Sequence, residues 1–124
     1  MRVTRVYTGD DGESHLEDLD VPLEDKPYGA ISDWVTVTGL AFRESPDGLN
    51  IDFHVAPRRQ FVVTLFGAVE IDCGNGEVRR MGAGDILLAD DTTGKGHISR
   101  DVEGPRRSLF IPVADDFDPA AWRH

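Results

Sequence analysis

The chain has 124 residues, enough for one hydrophobic core and too few for two. Hydrophobic residues make up 40% of it, which excludes a disordered composition, and no apolar run approaches the length of a membrane-spanning helix. Thirteen basic against 23 acidic side chains give a formal charge of −10, a balance that repels phosphate backbones and anionic lipid and excludes nucleic acid and membranes as expected partners.

The first residues, Met1 to Tyr7, hold neither an apolar signal core nor a small-residue cleavage site, and Arg2–Tyr7 reads as a strand. Residues 8 to 32 are less regular. Acidic residues, Pro22 and Pro27 punctuate apolar anchors at Leu16, Leu19, Val21 and Leu23, so residues 1 to 32 are expected to be a strand followed by an irregular arm lying over the rest or over a second subunit. Residues 33 to 113 then repeat one pattern. Segments rich in Val, Ile, Phe and Thr recur between Gly, Asp, Asn and Pro, predicting strands over Trp34–Arg43, Leu49–Val55, Gln60–Asp72, Glu77–Arg80, Asp85–Ala89, His97–Asp101 and Ser108–Val113. Asn75-Gly76 is the clearest turn signal, and it predicts that the segments on either side are antiparallel neighbours. In the tail, residues 114 to 124, Asp118 suits a helix cap and Pro119 a first helical position, so a short C-terminal helix packed through Trp122 is expected. The sum is one all-β domain over residues 1 to 124, an antiparallel sandwich or barrel with a jelly roll the natural choice. Cys73 is the sole cysteine and has no internal disulfide partner, so a cytoplasmic location is the expectation.

Four polar residues are brought together by strand geometry. Asp52 and His54 are two apart and share a face. Gln60 opens the next apolar strand, and His97 follows the turn Asp91-Thr92-Thr93-Gly94-Lys95-Gly96. Inward positions on neighbouring strands of a small barrel converge, and an imidazole pair with a carboxylate or amide suits Mn, Fe, Ni, Cu or Zn. Arg58, after Pro57 at the barrel rim, is a candidate for holding a substrate carboxylate, and Phe53, Phe61, Trp34 and Phe110 are candidate apolar walls. The pairs Arg79-Arg80 and Arg106-Arg107 are expected to meet surface carboxylates. Lys95 lies in a Gly-rich turn that lacks the following Ser or Thr and helix of a phosphate loop. Cys73 has no candidate base near it in sequence, and His15 and His124 are expected to be exposed.

The run from Asp52 to His97 resembles the cupins. Their first motif is matched by Asp52-Phe53-His54, then Gln60, then six residues to Gly67; their second by Gly84-Asp85, a strand, and Thr92-Thr93-Gly94-Lys95-Gly96-His97. Asp52 stands where a cupin places its first ligating His, Gln60 where it places Glu, and Thr92 where it places Pro. The resemblance implies a double-stranded β-helix, a divalent transition metal (Mn, Fe, Ni or Zn) held by His54, Gln60 and His97 with Asp52, and a homodimer. Two functions stay open. One is metal-dependent isomerase, lyase or oxygenase chemistry on a small organic molecule; the other is a non-catalytic small-molecule-binding protein with a degenerate metal site.

Overall fold

In the computed structural model the described residues are Met1–Arg123; His124, expected to be exposed, lies outside them. Val3 and Val6 drive the first strand, β1 (Arg2–Thr8), which pairs antiparallel along its whole length with β2 (Ser14–Asp20). A small separate hairpin follows, β3 (Glu24–Lys26) with β4 (Gly29–Ile31). The remaining strands are β5 (Ala41–Ser45), β6 (Asn50–His54), β7 (Gln60–Asp72), β8 (Val78–Met81), β9 (Ile86–Asp90) and β10 (His97–Pro112).

The main sheet runs β2-β1-β9-β7-β10-β5, with β6 added to β10 and β8 to β7. It is mixed, because β1 and β9 are parallel. It also stays open: β2 and β5 end the path and do not pair with each other, so the closed barrel expected from the sequence is not formed. β9 is interior and buries both faces, with Leu87, Leu88 and Ala89 all buried. Leu87 and Ala89 face a cluster with Val6, Val69, Ile71, Cys73 and Met81. Leu88 faces the other way, into a cluster with Val3, Leu19 and Val21 that Phe61, Phe117 and Trp122 cover. Its complete burial stabilises by roughly 1.5–3 kcal/mol.

Other sequence expectations shift in detail. The stretch expected to be an irregular arm carries β2, β3 and β4. Trp34–Arg43 shortens to β5, and Trp34 stands 93% exposed rather than walling a site. The two last expected strands fuse into β10, which runs on because one half pairs with β6 and the other with β5. β1 lies between β2 and β9, inside the sheet rather than at its edge. The C-terminal helix is only a 3-10 turn, Pro119–Trp122, too short to form α-helical bonds. Asp118 does cap it, accepting from the Ala120 N–H at 2.9 Å, and Trp122 packs on Phe61 and Phe117. The Asn75-Gly76 turn joins β7 to β8 as expected, with Gly74 and Gly76 rather than Asn75 taking the positive φ angles. Asn75 instead donates its side-chain amide to the Ser14 carbonyl.

Candidate functional site

Along the first part of β7, Gln60, Val62 and Thr64 point to one side; beyond Gly67, Val69 and Ile71 do so instead. The parity changes because Gly67, at φ +79°, sits where the pairing with β10 slips. A side chain there would collide with the Glu103 and Pro105 carbonyls. These residues line a cavity of about 320 Å³, together with Met81, Leu87, Ala89 and Phe110, and its two ends are polar.

His54 and His97 form one end. They are direct cross-strand partners on β6 and β10, with ring centroids 4.5 Å apart and planes tilted by 56°. The turn before His97 can approach this closely only because residue 96 is Gly: its φ is +79°, and a Cβ would overlap the His54 carbonyl. His54 Nδ1 lies 2.8 Å from the Asp52 carbonyl, which can only accept, so the ring donates there and keeps Nε2 as its free nitrogen. His97 Nδ1 donates likewise to the Asp91 carboxylate at 2.6 Å. Asp91 is fully buried and takes a second hydrogen bond from Ser14 Oγ at 2.7 Å. Its other oxygen has no partner among the described residues. In the sequence Asp91 belongs to the turn before His97; the signal for its supporting role is its place between a strand and the Gly-rich loop that leads to His97.

Gln60 is buried beside this end, and its Oε1 accepts from Arg58 Nη1 at 3.3 Å. Arg58 itself stands at the rim and reaches the cavity only through Gln60. Asp52 and Phe53 are outside the cavity lining. The Asp52 carboxylate accepts from the neighbouring Phe53 N–H at 2.8 Å on an exposed face, and the Phe53 ring lies under the Lys95 ammonium, 4.5 Å away. Phe110 lines the cavity, while Phe61 packs on the opposite face with Trp122.

The donor set for the metal implied by the resemblance is therefore two imidazoles and one amide oxygen already engaged by Arg58. Among the described residues no three His, Cys, Asp or Glu side chains gather to hold a metal ion. A first-row metal needs at least one more strong donor from the protein, and Asp52 is turned away from the place where it would supply one. The residues do not fit a complete resident metal site.

The other end is cationic. On β5 and β10, strand alternation puts Arg43, Ser45, Arg106, Ser108 and Phe110 on one face, and Arg43, Arg106 and Phe110 line the cavity. Arg106 is 5% exposed, and burial holds its guanidinium below the usual arginine range, opposed by Asp101 and reinforced by Arg43. Its Nε lies 3.2 Å from Asp101, at ion-pair distance but without hydrogen-bond geometry. Arg106 thus departs from the expected surface pairing, which Arg79, Arg80 and Arg107 follow with Asp18, Glu103 and Glu44.

Away from the cavity, burial pushes the Cys73 thiol up to about 12, which makes it a poor nucleophile. His15, expected to be exposed, is half-buried and clasped by Glu77 at 2.6 Å and Asp11 at 3.0 Å. Hydrogen bonds to these two carboxylates raise its pKa above 6.5.

The fold and cavity define an open, mixed β-sheet protein with an internal pocket of ligand size. Comparison with family models and with curated proteins returns no match. Among solved structures, one from Salmonella typhimurium LT2 assigned to ethanolamine utilization protein Q aligns with 91% of this chain and 95% of that one, at 14% identity and a TM-score of 0.36. A likeness this loose assigns no role to any side chain in the pocket. No helix among the described residues is long and apolar enough to cross a membrane.

Proposed function

We propose that the protein binds a small organic molecule in the cavity between its two polar ends, as a cupin-like binding protein without a resident metal. One observation carries this reading: a walled apolar cavity of about 320 Å³ ends on two histidines whose Nε2 atoms are free, while the carboxylate that would complete a metal shell faces elsewhere. Pockets of this size, mostly apolar with a few converging polar groups, are the usual form of small-molecule sites.

The competing reading is a metal-dependent isomerase, lyase or oxygenase. It is favoured by the Asp91–His97 pair, since a buried carboxylate behind a histidine is the usual support of an imidazole ligand. It needs a third strong donor.

The test is metal analysis of untagged protein, combined with methyl NMR during titration with benzyl alcohol, a neutral probe of suitable size. The expected result is substoichiometric metal and shifts at Val62, Val69, Ile71 and Leu87. Stoichiometric metal lost in both His54→Ala and His97→Ala, or a cavity that ignores the probe, overturns the proposal.

A further inference from the structure

In a chain with ten more acidic than basic side chains, an arginine without a carboxylate is an anomaly. Arg2, Arg5, Arg59, Arg79, Arg80, Arg100, Arg107 and Arg123 each meet one. Arg58, exposed at the rim, meets none among the described residues but donates to Gln60 Oε1 and has water around it. Arg43 meets none among the described residues; its guanidinium lies 5.4 Å from the Phe110 ring centroid, on the cavity wall. Arg106, nineteen-twentieths buried, also lines the cavity, and it makes no hydrogen bond among the described residues. Its one carboxylate neighbour, Asp101, balances a single charge, so this end carries a net positive charge. The buried hydroxyls of Ser45 and Ser108, which share the face, are unpartnered as well. Buried polar groups are nearly always satisfied, and a guanidinium left without acceptors in an apolar wall is costly. Here several unsatisfied groups gather at one place; Arg106 and the two hydroxyls can donate, and the single orphaned acceptor beside them, Asp101 Oδ2, cannot satisfy them all.

An acceptor-only anion is the chemistry that satisfies such a set. A carboxylate fits it best, since it takes two parallel hydrogen bonds from one guanidinium fork and leaves its remaining lone pairs for a second arginine. Between this end and the histidines the walls are apolar: Val62, Val69, Ile71, Met81 and Leu87. We propose that the ligand is a small carboxylic acid with an apolar body, its carboxylate seated on Arg43 and Arg106 and its far end toward His54 and His97. This rests on the small-molecule-binding reading above and adds the ligand class and the polarity of its seating. The free Nε2 atoms of the histidines accept hydrogen bonds, so a hydroxyl or amide N–H at the far end would add affinity.

The experiment is calorimetric titration of the full chain with three acids, benzoate, hydrocinnamate and octanoate, each beside its neutral primary amide. At least one acid is expected to bind roughly tenfold or more tightly than its amide. Arg43→Met keeps the apolar stem of a partly exposed residue; it is expected to melt as the wild type does and to lose the preference. Arg43→Lys is expected to keep part of it. Acids and amides that bind equally would overturn the carboxylate proposal and leave the pocket reading standing. A preference that survives both Arg43→Met and Arg106→Lys would place the acid elsewhere and overturn it too. If neither member of any pair binds, the pocket reading falls with it.

Discussion

Replacing Asp91 by Ala tests whether the buried carboxylate holds the His97 end of the cavity together. In the wild type it ties three strands: Ser14 of β2 and His97 of β10 both donate to it, at 2.7 and 2.6 Å, just after β9 ends. Both donors are buried, so neither can turn to water when the acceptor is removed. An orphaned buried donor costs about 1–3 kcal/mol, and two give roughly 2–6 kcal/mol. Against this, the alanine no longer carries a buried carboxylate whose second oxygen is unpartnered, which lowers the net. The expected loss is about 2–4 kcal/mol, read as a lower urea midpoint at unchanged slope and a Tm lower by roughly 8–16 °C. Asp91→Asn keeps an oxygen for both donors and adds an NH2 group whose two N–H donors lack acceptors, so it should fall between wild type and Ala. The backbone bond from the Ala56 N–H to the Asp91 carbonyl is common to all three proteins and cancels. An Asp91→Ala protein within about 0.5 kcal/mol of wild type would refute the reasoning, because a residue with those partners cannot be removed at the cost of an ordinary surface change.

Two further predictions rest on other features. Gly96→Ala combines a positive φ with overlap on the His54 backbone, and is expected to cost at least about 3 kcal/mol and to separate the His54–His97 rings, whereas Gly76→Ala, with open space around it, pays only about 1 kcal/mol of left-handed strain; equal losses by urea denaturation would mean that close approach is not what Gly96 provides. The His15 cluster makes stability depend on pH in a defined direction. The raised His15 pKa contributes fully below 6.5 and is lost as pH rises through the folded value; hydrogen bonds to the Leu16 N–H and to His15 lower that of Glu77, and hydrogen bonds to His15 and the Glu13 N–H that of Asp11, so their contribution is present above their ordinary values of 4.5 and 3.8 and is lost as pH falls. The cluster is therefore fully stabilising between pH 4.5 and 6.5. Thermal melts from pH 6 to 9 should show a decline in the wild type that is smaller in His15→Gln, and parallel curves would remove His15 as its source.

What the sequence made legible was set by local rules. Gln60–Asp72 reads as a strand because its richness in Val, Phe and Ile and its bounding turns are both local, and it appears with those bounds. The pairing of His54 with His97 was legible because strand spacing and a Gly-rich turn limit where each can go. β2 was not legible: Ser14–Asp20 alternates acidic residues with His15, Leu16 and Leu19, and it becomes a strand only because β1 offers it a full register of partners. The open sheet was hidden for the same reason, since whether the end strands meet depends on twist summed over the whole path.

The site shows the same division between local and non-local causes. Asp52 and His54 share a face by spacing, yet a carboxylate next to a free backbone N–H satisfies itself locally, and so Asp52 caps Phe53 instead of reaching inward. Arg106 is half of a basic pair that looks like any surface pair. Alternation sends Arg107 outward to Glu44 and Arg106 inward, and only the three-dimensional arrangement puts Arg43 beside it on the same wall. Two arginines 63 positions apart in the sequence carry no motif. Their meaning comes from the acceptors they lack, a quantity that exists only once every other carboxylate in this acidic chain has been placed.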